Sequence, residues 1–215
     1  MTEEERLEII NWICSEFFSM IIISPSVIDQ QKPGRLRKQL SPLDPDVPAA
    51  IWRIRQRIVE KEELRPYMKE PIMQDIINIM LPGGKIHPHM DHNIGEYIHS
   101  RFNVFVQLPR DQSGTYYGGK RIEAVEGNYT LCRSGLDMHW SDVLRSPIPR
   151  INLSFGFLIP REVLNRKYHM VLMKTIPEQP TPDPLEVEYA RIPIALIFGS
   201  AWWWSGEFGK KINAT

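Results

Sequence analysis

Four short runs between residues 72 and 160 constrain this chain more than any other feature: "MQDIINIML", "RFNVFVQLP", "RIEAVEGNYTLCR" and "RINLSFGFLIP". Each is rich in β-branched or aromatic residues, and Gly or Pro turns separate them. That texture predicts strands, because such side chains pack well on a pleated sheet. In the last run, Arg150, Asn152 and Ser154 share one face, and Ile151, Leu153, Phe155 and Phe157 share the other. The second run repeats the division, with Arg101, Asn103 and Phe105 on one face and Phe102, Val104 and Val106 on the other. An arginine heading an otherwise apolar strand needs an anionic partner if it points inward.

The flanking segments differ. "TEEERLEIINWICSEFFSMIII" predicts a helix capped by Thr2, with acids in its first turn and a stripe of Leu7, Ile10, Trp12, Ile13, Phe17 and Met20. Residues 24–48 are rich in Ser, Pro and basic side chains and predict a loop, whose "KPGRLRK" stretch would be solvated. "PAAIWRIRQRIVEKEELRPYM" predicts a second amphipathic helix, with Ile51, Ile54 and Ile58 inward and its basic residues in solvent. The segment 177–184, "PEQPTPDP", predicts a linker or arm. "AWWWSGEFG" (201–209) predicts a packed segment or lid. Two helices followed by short strands predict a mainly β fold with flanking helices, a jelly roll. At 215 residues, one domain accounts for the length: helical over about 1–70, jelly-roll core over about 72–160, and a C-terminal extension over 161–215.

Balanced charge, 26 basic against 26 acidic residues, argues against a general nucleic-acid or anionic-membrane binder. Cys14 and Cys132 predict buried free thiols rather than a disulfide framework. The acidic opening "MTEEERLEII" lacks the basic region of a signal peptide. The apolar run ending at Trp204 falls short of the roughly 20 residues that span a bilayer. These features predict a cytoplasmic setting, reducing enough for a ferrous site.

The stretch "GGKIHPHMDHN" holds three of the six histidines. On an extended strand His89 and Asp91 project to one side, with Met90 behind them. His139, fifty positions beyond His89, offers a third ligand. Two histidines and a carboxylate on one face form the facial triad of non-haem ferrous sites, which leaves positions open. Two inward arginines beside such a centre suit a dicarboxylate that chelates the metal. A rival site of His87, His89 and His139 stays open, although Glu96 is poorly spaced for it. His92 has the parity of a turn residue, His99 and His169 carry no signal, and "TYYGGKR" predicts a Gly-Gly hairpin that could turn Tyr116 or Tyr117 towards substrate.

Taken together, "HPHMD", "SRFNVFVQLP", "GG", "EGNYTL", "MHWSDV" and "PRINLSFGFLIP" resemble the Fe(II)/2-oxoglutarate-dependent oxygenases, and among them the aspartyl/asparaginyl β-hydroxylase branch. The resemblance covers roughly residues 75–160. It implies a double-stranded β-helix with His89, Asp91 and His139 as iron ligands, although some β-hydroxylases lack the carboxylate. Arg150 would bind the distal carboxylate of 2-oxoglutarate, assisted by Asn78. Arg101 would lie near the metal-side carboxylate. Asn103 stands where the branch has a histidine. The implied chemistry consumes 2-oxoglutarate and O2, with ascorbate as an accessory reductant, and releases succinate and CO2. The implied product is a hydroxylated Asp, Asn or Pro side chain, free or in a peptide. A small natural product as substrate, and a non-catalytic or cupin-type metal-binding jelly roll, are the alternatives.

Overall fold

A computed structural model of the chain describes residues 1–168 apart from 72 and 112. The proline-rich segment, His169 and the tryptophan-rich segment lie outside the described residues. Met1–Arg161 forms one compact unit, and the stretch from Glu162 is grouped apart from it.

The compact unit contains two helices, α1 (Glu3–Glu16) and α2 (Ala49–Lys61), and ten strands. The strands are β1 (Ile21–Pro25), β2 (Pro33–Gln39), β3 (Met68–Lys69), β4 (Asp75–Met80), β5 (Tyr97–Gln107), β6 (Thr115–Tyr117), β7 (Lys120–Arg121), β8 (Tyr129–Cys132), β9 (His139–Ser141) and β10 (Arg150–Pro160). A third helix, α3 (Arg161–Tyr168), follows β10 directly. The strands form a large sheet, ordered β1-β2-β4-β10-β5-β8 with β3 also on β10, and a small sheet, β7-β6-β9. Every pairing is antiparallel. This is the expected jelly roll, with a helical layer added.

β10 is central and works on both faces. Ile151, Leu153 and Phe155 are fully buried. Their cross-strand partners on β4 and β5 include Ile79, Ile77, Val104 and Phe102, and these side chains form one apolar layer. Phe102 meets Phe157 edge-on at 5.9 Å. The helices belong to this layer: Arg55 of α2 lies over the Phe157 ring and bonds Asp75 at 2.9 Å. Arg55 is therefore a structural cation, not part of a solvated face. Arg150, Asn152 and Ser154 point the other way.

Three expected boundaries shift. The first helix stops at Glu16 and gives way to a 3-10 turn over Phe17–Ser19, and the β-branched run Ile21–Ile23 enters β1. Within α1, Ile9 is buried and Leu7 lies at the surface. The second helix ends at Lys61, where Glu63 takes a left-handed φ of 53°. The largest departure is at residues 24–48, which hold β2 and the end of β1. "PGRLRKQ" is a strand that pairs along β4, from Arg35↔Met80 to Gln39↔Ile76. Its single buried apolar side chain, Leu36, gives too little alternation for sequence reading to find it. Gly34 admits no side chain, because a Cβ there would lie 2.6 Å from the Pro25 carbonyl oxygen. The third run is also shorter than expected: only β7 and β8 are extended, with a turn between them.

Thr2 and Glu5 cap α1 reciprocally. Glu5 is buried and also takes both Arg57 nitrogens, at 3.0 and 2.6 Å. The Arg57 bonds hold its carboxyl down to about 2. Because the folded value is depressed, the stabilisation is full above the ordinary glutamate range and lost as pH falls towards 2. Glu5→Gln should lower unfolding free energy near neutrality by about 2 kcal/mol. Urea denaturation over a pH series should show the gap to wild type closing on acidification.

Candidate metal centre and pocket

The ligand loop between β4 and β5 is stitched to β9. His89 and His139 exchange backbone hydrogen bonds at 3.2 and 2.9 Å, and the Ser141 amide donates to the Ile86 carbonyl at 3.1 Å. His89 forms an isolated bridge with His139 rather than lying on a regular strand. The expected strand around His89 and Asp91 is thus an irregular extended segment, which still turns both side chains the same way. Two glycines lead into it. Gly83 has φ 83°, and a Cβ on Gly84 would collide with the Gly34 carbonyl.

His89, Asp91 and His139 each offer a ligand atom, and all three atoms lie within 4.8 Å of one another. The two imidazole rings are 4.1 Å apart between centroids. Their Nδ1 atoms sit beside backbone carbonyls, His89 on His87 at 2.7 Å and His139 on Asp137 at 3.2 Å. A carbonyl can only accept, so Nδ1 carries the hydrogen and Nε2 keeps its lone pair. The His89 Nε2 is 3.8 Å from Asp91 Oδ1. Burial, then the neighbouring His89, keeps His139 below the usual imidazole range. The donor set, hard oxygen plus neutral imidazoles, fits a ferrous ion or a similar divalent metal. His87 is exposed and supplies only its carbonyl, so it stands outside the cluster.

Asp91 is held from behind. Its Oδ2 lies 3.2 Å from His99 Nδ1 and 3.9 Å from Arg101 Nε, leaving Oδ1 turned to the histidines. Arg101 is tied to Glu70 at 3.1 Å and to Ser154 at 3.4 Å. His99 was unmarked in the sequence, yet it shares strand parity with Arg101 and Asn103, and that parity was the available signal. Glu70 carried none.

A cavity of about 480 Å³ opens between the two sheets beside this cluster. Its floor is the polar face of the large sheet, laid out in register. Arg35, Met80 and Arg150 form one row, and Arg37, Asn78 and Asn152 the next. Ile76, Ser154 and Asn103 form a third, and Arg101 lies beyond it. Asn103 donates to the Tyr117 hydroxyl at 2.9 Å, so Tyr117 faces the cavity, while Tyr116 stacks on Trp140 at 5.0 Å. The turn between β6 and β7 is the expected Gly-Gly pair, with φ of 54° and 82°. Cys132 also lines the cavity, and burial raises its thiol, so it stays neutral.

Arg150 is 4% exposed, and no carboxylate lies within 4.0 Å of it among the described residues. Its guanidinium donates to Thr115 Oγ1 at 3.1 Å and to Ser113 at 2.7 and 3.0 Å. Among the described residues its Nε has no hydrogen-bond partner, nor has the buried Asn152 Oδ1. A charge buried without its counter-ion is costly, and an anionic guest would remove that cost.

No protein-family model and no curated protein matches this sequence. Among solved structures, the chain is similar to a viral collagen prolyl hydroxylase from Paramecium bursaria Chlorella virus-1 in complex with 2OG. That match has 13% identity and a TM-score of 0.51, and covers 74% of this chain and 92% of that one. It is also similar to a prolyl hydroxylase from Trichoplax adhaerens in complex with a hypoxia inducible factor peptide fragment. There the identity is 11% and the TM-score 0.50, over 72% of this chain and 78% of the other. At these identities the likeness is one of fold, the jelly roll of 2-oxoglutarate-dependent hydroxylases. Among the described residues, no helix is long and apolar enough to cross a membrane.

Calorimetric titration with Mn(II) should find one site per chain. Alanine at His89, Asp91 or His139 should weaken it by about 100-fold or more, while His87→Ala should not. Affinity should fall as pH drops from about 7 to 5, because both imidazoles must be neutral to bind.

Proposed function

We propose that this chain is an Fe(II)- and 2-oxoglutarate-dependent oxygenase that hydroxylates an amino-acid side chain. One observation carries the reading: a His-Asp-His donor set shares a pocket with a buried arginine that has no carboxylate within 4.0 Å among the described residues. His89, Asp91 and His139 would hold the metal. A ferrous ion there supplies O2 activation coupled to oxidative decarboxylation of 2-oxoglutarate into succinate and CO2.

The protein's own part is orientation. Arg150 takes the distal carboxylate of 2-oxoglutarate through paired, charge-assisted hydrogen bonds, and Ser113 and Thr115 fix its fork. Asn78 and Asn152, side by side across β4 and β10, supply neutral polar contacts along the floor. Asn103 acts through Tyr117. Arg101 stands on the metal side, beside Asp91 and any carboxylate bound there. With Glu70 already balancing its charge, its larger role is to aim Asp91. The intact carboxylate ligand favours hydroxylation over halogenation.

For substrate, the sequence resemblance points to aspartyl or asparaginyl side chains, and the solved neighbours are prolyl hydroxylases. The peptide seen on the Trichoplax enzyme supports a peptide as one form of substrate.

Protein prepared anaerobically with Fe(II), 2-oxoglutarate and ascorbate should release succinate once O2 is admitted. Absence of succinate with every candidate substrate, together with no metal-dependent 2-oxoglutarate binding, would overturn the reading. Arg150→Ala should weaken 2-oxoglutarate by about 10- to 100-fold and leave Mn(II) affinity unchanged. Equal loss of both would mean that Arg150 serves folding.

A further inference from the structure

The pocket carries more positive charge than the proposed co-substrate uses. Among the described residues four arginines line it, Arg35, Arg37, Arg101 and Arg150, against two carboxylates, Glu70 and Asp91. With histidines neutral, that leaves two positive charges. A divalent metal adds two and 2-oxoglutarate removes two, so two remain.

The surplus has an address. Arg101 is satisfied by Glu70. Arg35 and Arg37 flank Leu36 on β2, so both turn to the cavity while Leu36 goes to the core. Neither has a carboxylate within 4.0 Å among the described residues, and the Arg35 guanidinium makes no hydrogen bond to them. The nearest acceptor for Arg37 is the Met73 thioether, 2.9 Å away, a weak acceptor for a guanidinium. Burial and the neighbouring Arg37 both act against the Arg35 charge. Two half-buried like charges side by side, with no acid between them, are unfavourable unless a ligand supplies the anion.

We propose that Arg35 and Arg37 form a second anion seat, distinct from Arg150, and that the substrate presents a carboxylate to it. This rests on the oxygenase reading for the word substrate, but the seat itself does not. β2 lies two strands from β10, across β4, so the seat is lateral to Arg150 on the same floor. A guanidinium fork fits a carboxylate in two parallel bonds. Among the side chains considered above, an acidic one such as aspartate meets this demand, and proline does not. The carboxylate can belong to a free amino acid or to an acidic residue within a peptide.

Calorimetry with inorganic phosphate as the probe tests the seat in protein saturated with Mn(II) and 2-oxoglutarate. One phosphate should bind. Arg35→Gln and Arg37→Gln should each weaken it about tenfold, and lysine at either position should restore part of the affinity. Arg150→Gln, titrated without 2-oxoglutarate, should still bind phosphate. L-Aspartate or a terminally blocked aspartyl tripeptide should displace it, and whichever does so identifies the source, while the terminally blocked asparaginyl tripeptide should not. No phosphate binding, binding indifferent to both glutamine variants, displacement by 2-oxoglutarate, or displacement by neither aspartyl ligand would overturn the proposal. If 2-oxoglutarate itself fails to bind, the oxygenase reading falls, and phosphate titration of the metal-free protein still decides the arginine pair. Thermal midpoints near wild type confirm that the variants fold, and the lysine variants give the same comparison if a glutamine variant does not.

Discussion

A strand must send alternate side chains to opposite faces, and β10 is where this chain makes most use of that rule. Its odd-numbered residues are large and apolar, and they bind the helical layer to the large sheet. Its even-numbered residues Arg150, Asn152 and Ser154 are polar and form part of the pocket floor. A one-residue slip would bury Arg150, Asn152 and Ser154 among Phe102 and the isoleucines, and would turn Phe155 into the cavity. Register is therefore fixed by a large energetic difference. Every cross-strand row that the pocket uses follows from it, because β4 and β5 take their places from β10 and β2 takes its place from β4.

The candidate metal centre depends on a different device. Two of its three ligands, His89 and Asp91, sit on no regular strand, while His139 opens β9. They are brought together by one reciprocal backbone bridge between His89 and His139, and backbone carbonyls two residues before each histidine set the tautomers. Asp91 is steered by His99 and Arg101, and Arg101 by Glu70. Rigid elements thus hold the ligands through a second layer of charged contacts, the arrangement a site needs to keep its geometry when a metal enters. The same low-dielectric pocket raises the cost of unpaired guanidinium groups, and that links Arg150 and the Arg35–Arg37 pair to anionic guests.

Much of this was legible in the chain itself. The alternation in "RINLSFGFLIP" revealed both faces of β10, and Arg150 was singled out as an inward cation in need of an anion. The spacing of His89 and Asp91, joined to His139, found the donor cluster, even though the local backbone is irregular. What stayed hidden has a common cause. β2 shows only one buried apolar side chain, so its strand character comes from pairing with β4 and not from its own pattern. The two arginines it carries looked like a solvated basic loop for the same reason. Glu70 matters through its contact with Arg101, and such a contact leaves no local trace. The sequence alone places Arg55 on a solvated face, because its partner, Asp75, is brought to it only by tertiary packing.

The central proposal is spatial: one pocket would hold a metal between His89, Asp91 and His139 and a dicarboxylate reaching Arg150. Diffraction from crystals grown anaerobically with Mn(II) and 2-oxoglutarate, measured for the manganese anomalous signal, tests it directly. The account predicts one anomalous peak bounded by the two histidine Nε2 atoms and the Asp91 carboxylate, with 2-oxoglutarate extending from that peak to the Arg150 guanidinium. A peak ligated by other residues, or 2-oxoglutarate bound away from Arg150, would contradict it.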